Sequence, residues 1–387
     1  MISECSRGGL APRLLIVVNV DWFFLSHRLP IALAARQYGF EVHVATTFTS
    51  DSIKDELTSY GLHVHDLSID RAAKSLKKII ANFFCIYKLY RRLCPDVVHL
   101  VTIQPVIFGG LAARSAGVER VVYAISGLGH AFFADSIFSR FRRRCVGVLY
   151  GLSLGVSQKF VIFQNSDDQR TISGFFSLPS AQAKIIPGSG VDLSRFVFTP
   201  IPKGLPVVQM ASRLLSTKGV REFVAAALIL KSRGVCARFD LIGEPDISNP
   251  AAISMSDVNE WRRQGVVNIL GSRDDLHLLM REAHIICLPS YREGLPKVLC
   301  EAAASGRPVV TTNVPGCRDS IEDGITGLLV PSRDPVALAD ALEYLLSNPY
   351  LIVQMGAEAR KRAERLFDSR DIADQHLFLY RSLLNLE

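Results

Sequence analysis

Two glutamates eight positions apart, Glu293 and Glu301, stand in Ser290-Tyr-Arg-Glu-Gly-Leu-Pro-Lys-Val-Leu-Cys-Glu301. The preceding run Ile285-Ile-Cys-Leu288 has the length and apolarity of a buried strand, and Gly294-Leu295-Pro296 reads as a helix start with proline in its first turn. Apolar Leu295, Val298, Leu299, Ala302 and Ala303 fall on one stripe of that helix, which sets Gly294, Lys297 and Glu301 on the opposite, open face. A helix start carries unsatisfied N–H groups and the positive end of the dipole, so it attracts an anion. Carboxylates accept hydrogen bonds from vicinal hydroxyls. The stretch therefore suits a ligand with phosphate at one end and polyhydroxylated rings at the other, which is the shape of a nucleotide-sugar. The plain alternative is that Lys297 and Glu301 are a solvated i,i+4 pair worth a few tenths of a kcal/mol.

Two cations strengthen the first reading. The strand-like run Pro206 to Met210 leads into Ala211-Ser-Arg-Leu-Leu-Ser-Thr-Lys-Gly219, so Arg213 and Lys218 follow its carboxyl end. Placed opposite the helix start at Gly294, they would clamp a diphosphate and stabilise its charge as it departs. Either cation alone reads equally well as an ordinary loop residue; only the four residues together amount to a site.

The elements that must position these residues alternate in type along the whole chain. Strand-like runs at Arg13 to Val20, Glu41 to Thr46, Leu62 to Leu67, Asp96 to Val101, Arg120 to Ile125 and Lys159 to Gln164 are separated by helical patterns, among them Leu25 to Tyr38 and Gln104 to Ala116. The rhythm breaks at Phe198-Thr-Pro-Ile-Pro-Lys-Gly204 and then restarts. This predicts an α/β protein of two doubly wound, Rossmann-like domains, over 1–198 and 205–366, facing across a cleft. Neither half has a full G-x-G-x-x-G after its first strand, and no P-loop pattern occurs, so a nicotinamide enzyme is disfavoured. The first strand instead runs into Asn19-Val-Asp-Trp-Phe-Phe-Leu-Ser-His-Arg28, expected to be a loop of polar and aromatic groups at a ligand site.

At 387 residues, 49% hydrophobic and 21% charged, the chain is too apolar and too long for a disordered class. Eight scattered cysteines, several inside apolar runs, with no C-x-x-C pair and no histidine at ligand spacing, read as small core residues in a reducing cytoplasm. The run Leu14 to Val20 reads as a strand rather than a signal peptide, and no transmembrane span is expected. The net charge of +7 is concentrated. Arg71, Lys74, Lys77, Lys78, Lys88, Arg91 and Arg92 share a segment with no acidic residue, opposite Leu76, Ile79, Ile80, Phe83, Tyr87 and Tyr90. Arg142, Arg143 and Arg144 lie between aromatic and apolar residues. Such segments suit an anionic bilayer face, at roughly 1 kcal/mol per basic residue near it. No nucleic-acid signature accompanies them. The expected location is thus peripheral, at the inner face of the cell membrane.

Taken together, these residues resemble the retaining GT-B glycosyltransferases of family 4 over nearly the whole chain. The resemblance rests on Ala211-Ser-Arg-Leu with Lys218-Gly219, the E-x7-E motif Glu293 to Glu301, Ala303-Ala-Ser-Gly-Arg-Pro-Val-Val310, Gly324-Ile-Thr-Gly-Leu-Leu-Val330 and Gly190-Val-Asp192. It implies that 1–198 is the acceptor-side domain, 205–366 the nucleotide-sugar domain and 367–387 a last helix returning to the first domain; that Arg213 and Lys218 hold the donor diphosphate, Glu293 touches the transferred sugar and Glu301 binds the ribose; and that amides around Gly294, Leu295 and Pro296 contact sugar and phosphates. It also implies a metal-free reaction without cofactor that retains anomeric configuration, by front-face attack without a protein nucleophile. Asn19 to Pro30 and Tyr123-Ala-Ile-Ser-Gly-Leu-Gly-His130 resemble the bacterial branch that builds lipid-linked oligosaccharides. That branch often moves an N-acetylhexosamine from a UDP-sugar to an undecaprenyl-diphosphate-linked acceptor, which makes Asp21, Ser26, His27 and Arg28 acceptor-side candidates. Many members carry a donor-contacting histidine near Ser126; here the nearest is His130, so either residue stands in its place. The competing readings are a nucleotide-sugar epimerase or hydrolase of the same fold, and a catalytically silent membrane scaffold.

Overall fold

Strands buried on both faces read as unbroken apolar runs, and the chain spends its valine, isoleucine and leucine on such strands. In the computed structural model, residues 11–67, 76–127, 137–247 and 249–386 are described, with backbone alone at 76–79, 137–143 and 145. His130 and Lys74 lie outside the described residues, as do the side chains of Lys77, Lys78, Arg142 and Arg143. The chain divides into two units, Met1–Ser189 with Arg370–Glu387, and Gly190–Ser369.

The first unit holds β1 (Arg13–Val17), β2 (Glu41–Thr46), β3 (His63–Asp66), β4 (Val97–Val101), β5 (Arg120–Ile125), β6 (Gln158–Phe163) and β7 (Ala183–Ile185), all parallel in the order β3-β2-β1-β4-β5-β6-β7. Leu15, Val17, Val98 and Leu100 face one core with Ile86, Leu89, Tyr90, Ala112 and Tyr150 from helices 76–93, 110–116 and 137–153. Leu14, Ile16, Val97 and Val101 face the other, with Ile31, Ala32 and Ala35 of helix Leu29–Gln37 and with Ile372, Ala373, Leu379, Tyr380 and Leu383 of the last helix, Ser369–Leu384. The second unit holds β8 (Val207–Ala211), β9 (Arg238–Ile242), β10 (Asn268–Gly271), β11 (Ile285–Leu288), β12 (Val309–Thr312) and β13 (Gly327–Val330), again all parallel, in the order β10-β9-β8-β11-β12-β13. No single described helix is long and apolar enough to cross a membrane.

Three sequence expectations shift. The stretch expected as a loop after β1 is largely the helix Asp21–His27, and the expected helix Leu25 to Tyr38 is split at Arg28. Asp21 starts the first helix by accepting from Trp22 N at 2.7 Å, and Pro30 restarts the second from its first turn. The division between units falls at Gly190 rather than at 198–204. Val191 N donates to Phe367 O at 2.7 Å, Phe196 sits in the second core, and the proline-rich connector is fastened to the second unit by Arg307. The buried Arg307 donates to Thr199 O (2.7 Å), Thr199 Oγ1 (2.6 Å), Met280 O (2.9 Å), Arg281 O (3.0 Å) and Ser305 O (3.0 Å). Burial lowers its pKa to about 10, so it remains charged at neutral pH.

Replacing Arg307 by methionine strands these carbonyls, and each buried orphan costs about 1–3 kcal/mol. The second unit should then lose on the order of 3 kcal/mol or more. Chemical denaturation read from Trp261, which is buried in the second core, measures it.

Candidate active site

In the second sheet β8 and β11 are neighbours, yet the chain leaves β8 towards β9 and β10 and then returns through β11 towards β12 and β13. Loops beyond the carboxyl ends of two such strands diverge and leave a crevice, the usual ligand position in doubly wound sheets. Arg213 and Lys218 leave the end of β8, and Ser290 to Pro296 leave the end of β11. Sequence spacing alone thus delivers both groups to one place in the topology.

Contacts then join them. Lys218 Nζ lies 2.5 Å from Glu293 Oε1, and Ser290 Oγ donates to the same oxygen at 2.7 Å. The pair is largely shielded, with side-chain exposures of 20% for Lys218 and 13% for Glu293. Ion pairing and hydrogen bonding reinforce each other in such a setting. Both bonds fall on Oε1, so Oε2 keeps its lone pairs for a ligand hydroxyl. Two glycines make the approach of the loops possible. Gly219 holds φ +75° where a Cβ would lie 2.1 Å from Pro289 O, and Gly316, at φ +82°, would place one 2.5 Å from the carbonyls of both Glu293 and Gly294. Backbone bonds add Tyr291 N to Thr217 O at 2.9 Å and Glu293 N to Pro315 O at 3.1 Å. Thr312 Oγ1 donates to Ser290 O.

The helix begins at Lys297, not at Gly294, with Pro296 as its cap residue in extended backbone. Glu301 is not on an open face: it is 7% exposed, paired with Lys297 Nζ at 3.4 Å. Burial raises its pKa, opposed by Lys297 and Arg195. The helical wheel missed this because the spacing of apolar residues within a helix does not report what packs on its polar face. Arg213 stands half exposed and pairs with Asp246 Oδ2 at 2.8 Å. Three participants escaped the sequence reading: Ser290 as an orienting donor, Gly316 as the close approach, and Asp246 as the partner of Arg213. Pro315-Gly316, three residues past the end of β12, was the signal for the second.

The first sheet has its own switch point, between β1 and β4. Thr102, just past β4, holds φ +73°, a costly conformation for a β-branched residue, and its hydroxyl donates to Asn19 Oδ1 beyond β1. Asp21 is fully buried and spent on structure, accepting from Thr49 N at 2.5 Å and from Thr49 Oγ1 at 2.9 Å. Ser26 Oγ donates to Trp22 O at 2.9 Å and meets His27 Nδ1 at 2.5 Å, while the His27 ring stacks on Phe23 at 4.1 Å. Arg28 is 2% exposed, not on a wet first turn, because the last helix covers it through Tyr380 and His376. Ser126 follows β5, and its buried Oγ has no hydrogen-bond partner among the described residues.

Among the described side chains of helix Leu76–Leu93, the buried ones are Asn82, Ile86, Leu89, Tyr90 and Leu93. Ile80, expected on the inward side, faces out with Phe84, Lys88 and Arg91 in one stripe, because the helix packs on helix Gly110–Ala116 and its buried face runs through Ile86, Leu89 and Leu93, one step round. Arg92 is also exposed. Helix Ile137–Ser153 presents Arg144, Val148 and Leu152 outward in the same spacing.

The family model described as "Glycosyl transferases group 1" matches residues 205–348, and that described as "Glycosyl transferase 4-like" matches residues 13–164. A relative from Campylobacter jejuni, N,N'-diacetylbacillosaminyl-diphospho-undecaprenol alpha-1,3-N-acetylgalactosaminyltransferase, is 28% identical over 378 residues, covering 92% of this chain and 97% of its own. Among solved structures, a sucrose-phosphate synthase from Thermosynechococcus elongatus superposes with TM-score 0.79 at 20% identity, over 97% of this chain and 99% of that one. HepE from Anabaena, in complex with UDP and glucose, superposes with TM-score 0.75 at 20% identity, over 96% and 100%.

Because burial raises the pKa of Glu301, the fold favours its protonated form. The burden on stability is absent below the unfolded pKa and is fully felt once pH has risen through the folded one. Glu301→Gln should therefore raise the melting temperature of the second unit at pH 7, and the gain should shrink as pH approaches 4, measured by calorimetry across that range.

Proposed function

The chain belongs to the GT-B glycosyltransferases, and from that premise we propose that it moves a sugar from a UDP-sugar to a saccharide on undecaprenyl diphosphate. The observation that carries the reading is the joined set Lys218, Glu293 and Ser290 at the switch point of β8 and β11, just upstream of the helix start at Lys297. A diphosphate seated at that helix start meets N–H groups and a positive dipole end. Lys218 and Arg213 add cationic charge where the leaving UDP gains negative charge, worth about 3 kcal/mol per well-placed group. In this account they do the work of a metal. Glu293, oriented by its two partners, accepts from hydroxyls of the transferred sugar, and Glu301 receives the ribose.

The reaction breaks the bond from the anomeric carbon to the phosphate oxygen and forms one to the acceptor hydroxyl, whose proton passes to the departing phosphate. With both on one face, configuration is retained and no protein nucleophile is needed. The acceptor side is assigned to the loops at the β1 and β4 ends with helix Asp21–His27, where Ser26 and His27 present polar groups and Trp22 is 39% exposed. Either Ser126 or His130 supplies the further donor contact. The N-acetylhexosamine and the undecaprenyl-linked acceptor follow the Campylobacter relative's name.

The outward stripes of Ile80, Phe84, Lys88 and Arg91, and of Arg144, Val148 and Leu152, support a peripheral seat on an anionic bilayer. Both helices cover the same face of the first sheet, beside helix Gly110–Ala116.

Detergent-solubilised protein with a panel of UDP- and GDP-sugars, lipid-diphosphate acceptors and EDTA should yield an acceptor heavier by one sugar, read by mass. Glu293→Ala and Lys218→Ala should each lower the rate by about 10²–10³-fold. Donor turnover without acceptor would favour an epimerase or hydrolase, and donor binding without turnover a scaffold. Changing Lys88, Arg91 and Arg144 to glutamine should release the protein from anionic vesicles in a flotation assay; unchanged partitioning would retire the membrane seat.

A further inference from the structure

Arg28 is buried beside His99 of β4 and His376 and Tyr380 of the last helix. Burial lowers the Arg28 pKa to about 10, so it is still a cation at neutral pH. One arm has a partner: Nη1 donates to His27 O at 2.8 Å, while Arg28 N donates to Phe24 O at 2.7 Å. A cation therefore caps the carboxyl end of helix Asp21–His27, where the dipole favours it.

The partners of the two imidazoles fix where their protons sit. His376 Nδ1 lies 2.8 Å from Ile372 O, and a carbonyl only accepts, so Nδ1 carries the proton and Nε2 is a lone pair. The Tyr380 hydroxyl lies 2.7 Å from His99 Nδ1, and its proton meets no other acceptor among the described residues, so it points at the Nδ1 lone pair and the proton of His99 sits on Nε2. Both rings are neutral, since burial, with Arg28 nearby, pulls each far below the usual histidine range. The ring centres are 5.5 Å apart. Arg28 Nε, His99 Nε2 and His376 Nε2 are all buried without a hydrogen-bond partner among the described residues. Two N–H donors and one lone pair are the complement of a single water, which accepts twice and donates once. An anion would instead face the lone pair of His376.

We propose that Arg28, His99 and His376 hold one internal water molecule, and that Arg28, braced through it against the last helix, is a positioning residue for helix Asp21–His27. The second half rests on the acceptor-side reading above; the first does not. Crystals of the full chain should show one water within about 3.2 Å of the three nitrogens. Nitrogen-15 correlation spectra at pH 7 should show His99 protonated on Nε2 and His376 on Nδ1. Reversed tautomers, or a dry contact among the three, would overturn the water. Arg28→Lys keeps the charge but removes Nε–H and the fork. It should speed amide exchange in residues 21–28 about tenfold, the worth of one buried hydrogen bond, with β1 and β4 unchanged. The KM for a lipid-diphosphate acceptor should rise about tenfold with the KM for donor unchanged. Unchanged exchange in 21–28, or an equal rise across the whole unit, would overturn the positioning role. If the wild-type chain transfers to no lipid-linked acceptor, the transfer reading fails, and the exchange and tautomer results still decide this proposal.

Discussion

The contact of Lys218 with Glu293 is the constraint on which the second unit's chemistry depends. It ties the loop after β8 to the loop after β11, two segments that a parallel sheet forces apart. A carboxylate and an ammonium so shielded would each be costly alone, and together, with Ser290 on the same oxygen, they hold a defined geometry. The neighbouring backbone is shaped to permit it. Gly219 and Gly316 sit where any side chain would strike a carbonyl, so the two loops and the one after β12 lie backbone to backbone. Rigid placement of charge before a ligand arrives is what electrostatic catalysis requires.

The same division of labour appears in the first unit with different residues. Asp21 is consumed in fastening the loop after β2 to the first helix, and Arg28 in capping that helix beneath the last one. Both look like ligand residues in a one-dimensional reading and behave as supports in three dimensions. Half-buried Ser26 and His27 and exposed Trp22 are what the supports present. Thr102 in its left-handed conformation is the matching strain across the switch point.

Much of this was legible in the chain itself. Parallel strands buried on both faces announce themselves as apolar runs, and residues just beyond them, such as Arg213, Lys218 and Glu293, are placed by topology alone. Burial of polar side chains was not legible. Glu301 lies buried within the charge field of Arg195, and Arg28 lies beneath the last helix; both neighbours are distant in sequence, and no local periodicity reports that. The boundary at Gly190 was hidden for the same reason: proline and glycine mark 198–204 as irregular, but Arg307, more than 100 residues away in sequence, decides which unit owns it. The outward turn of Ile80 shows that a helical wheel fixes relative, not absolute, orientation.

The most direct measurement is a crystal structure of the full chain soaked with a UDP-sugar. The account predicts the diphosphate within hydrogen-bond reach of Lys218 Nζ and the first amides of helix Lys297–Ala304, with a sugar hydroxyl on Glu293. A diphosphate bound away from the β8 and β11 ends, with the Lys218–Glu293 pair untouched by the ligand, would contradict it.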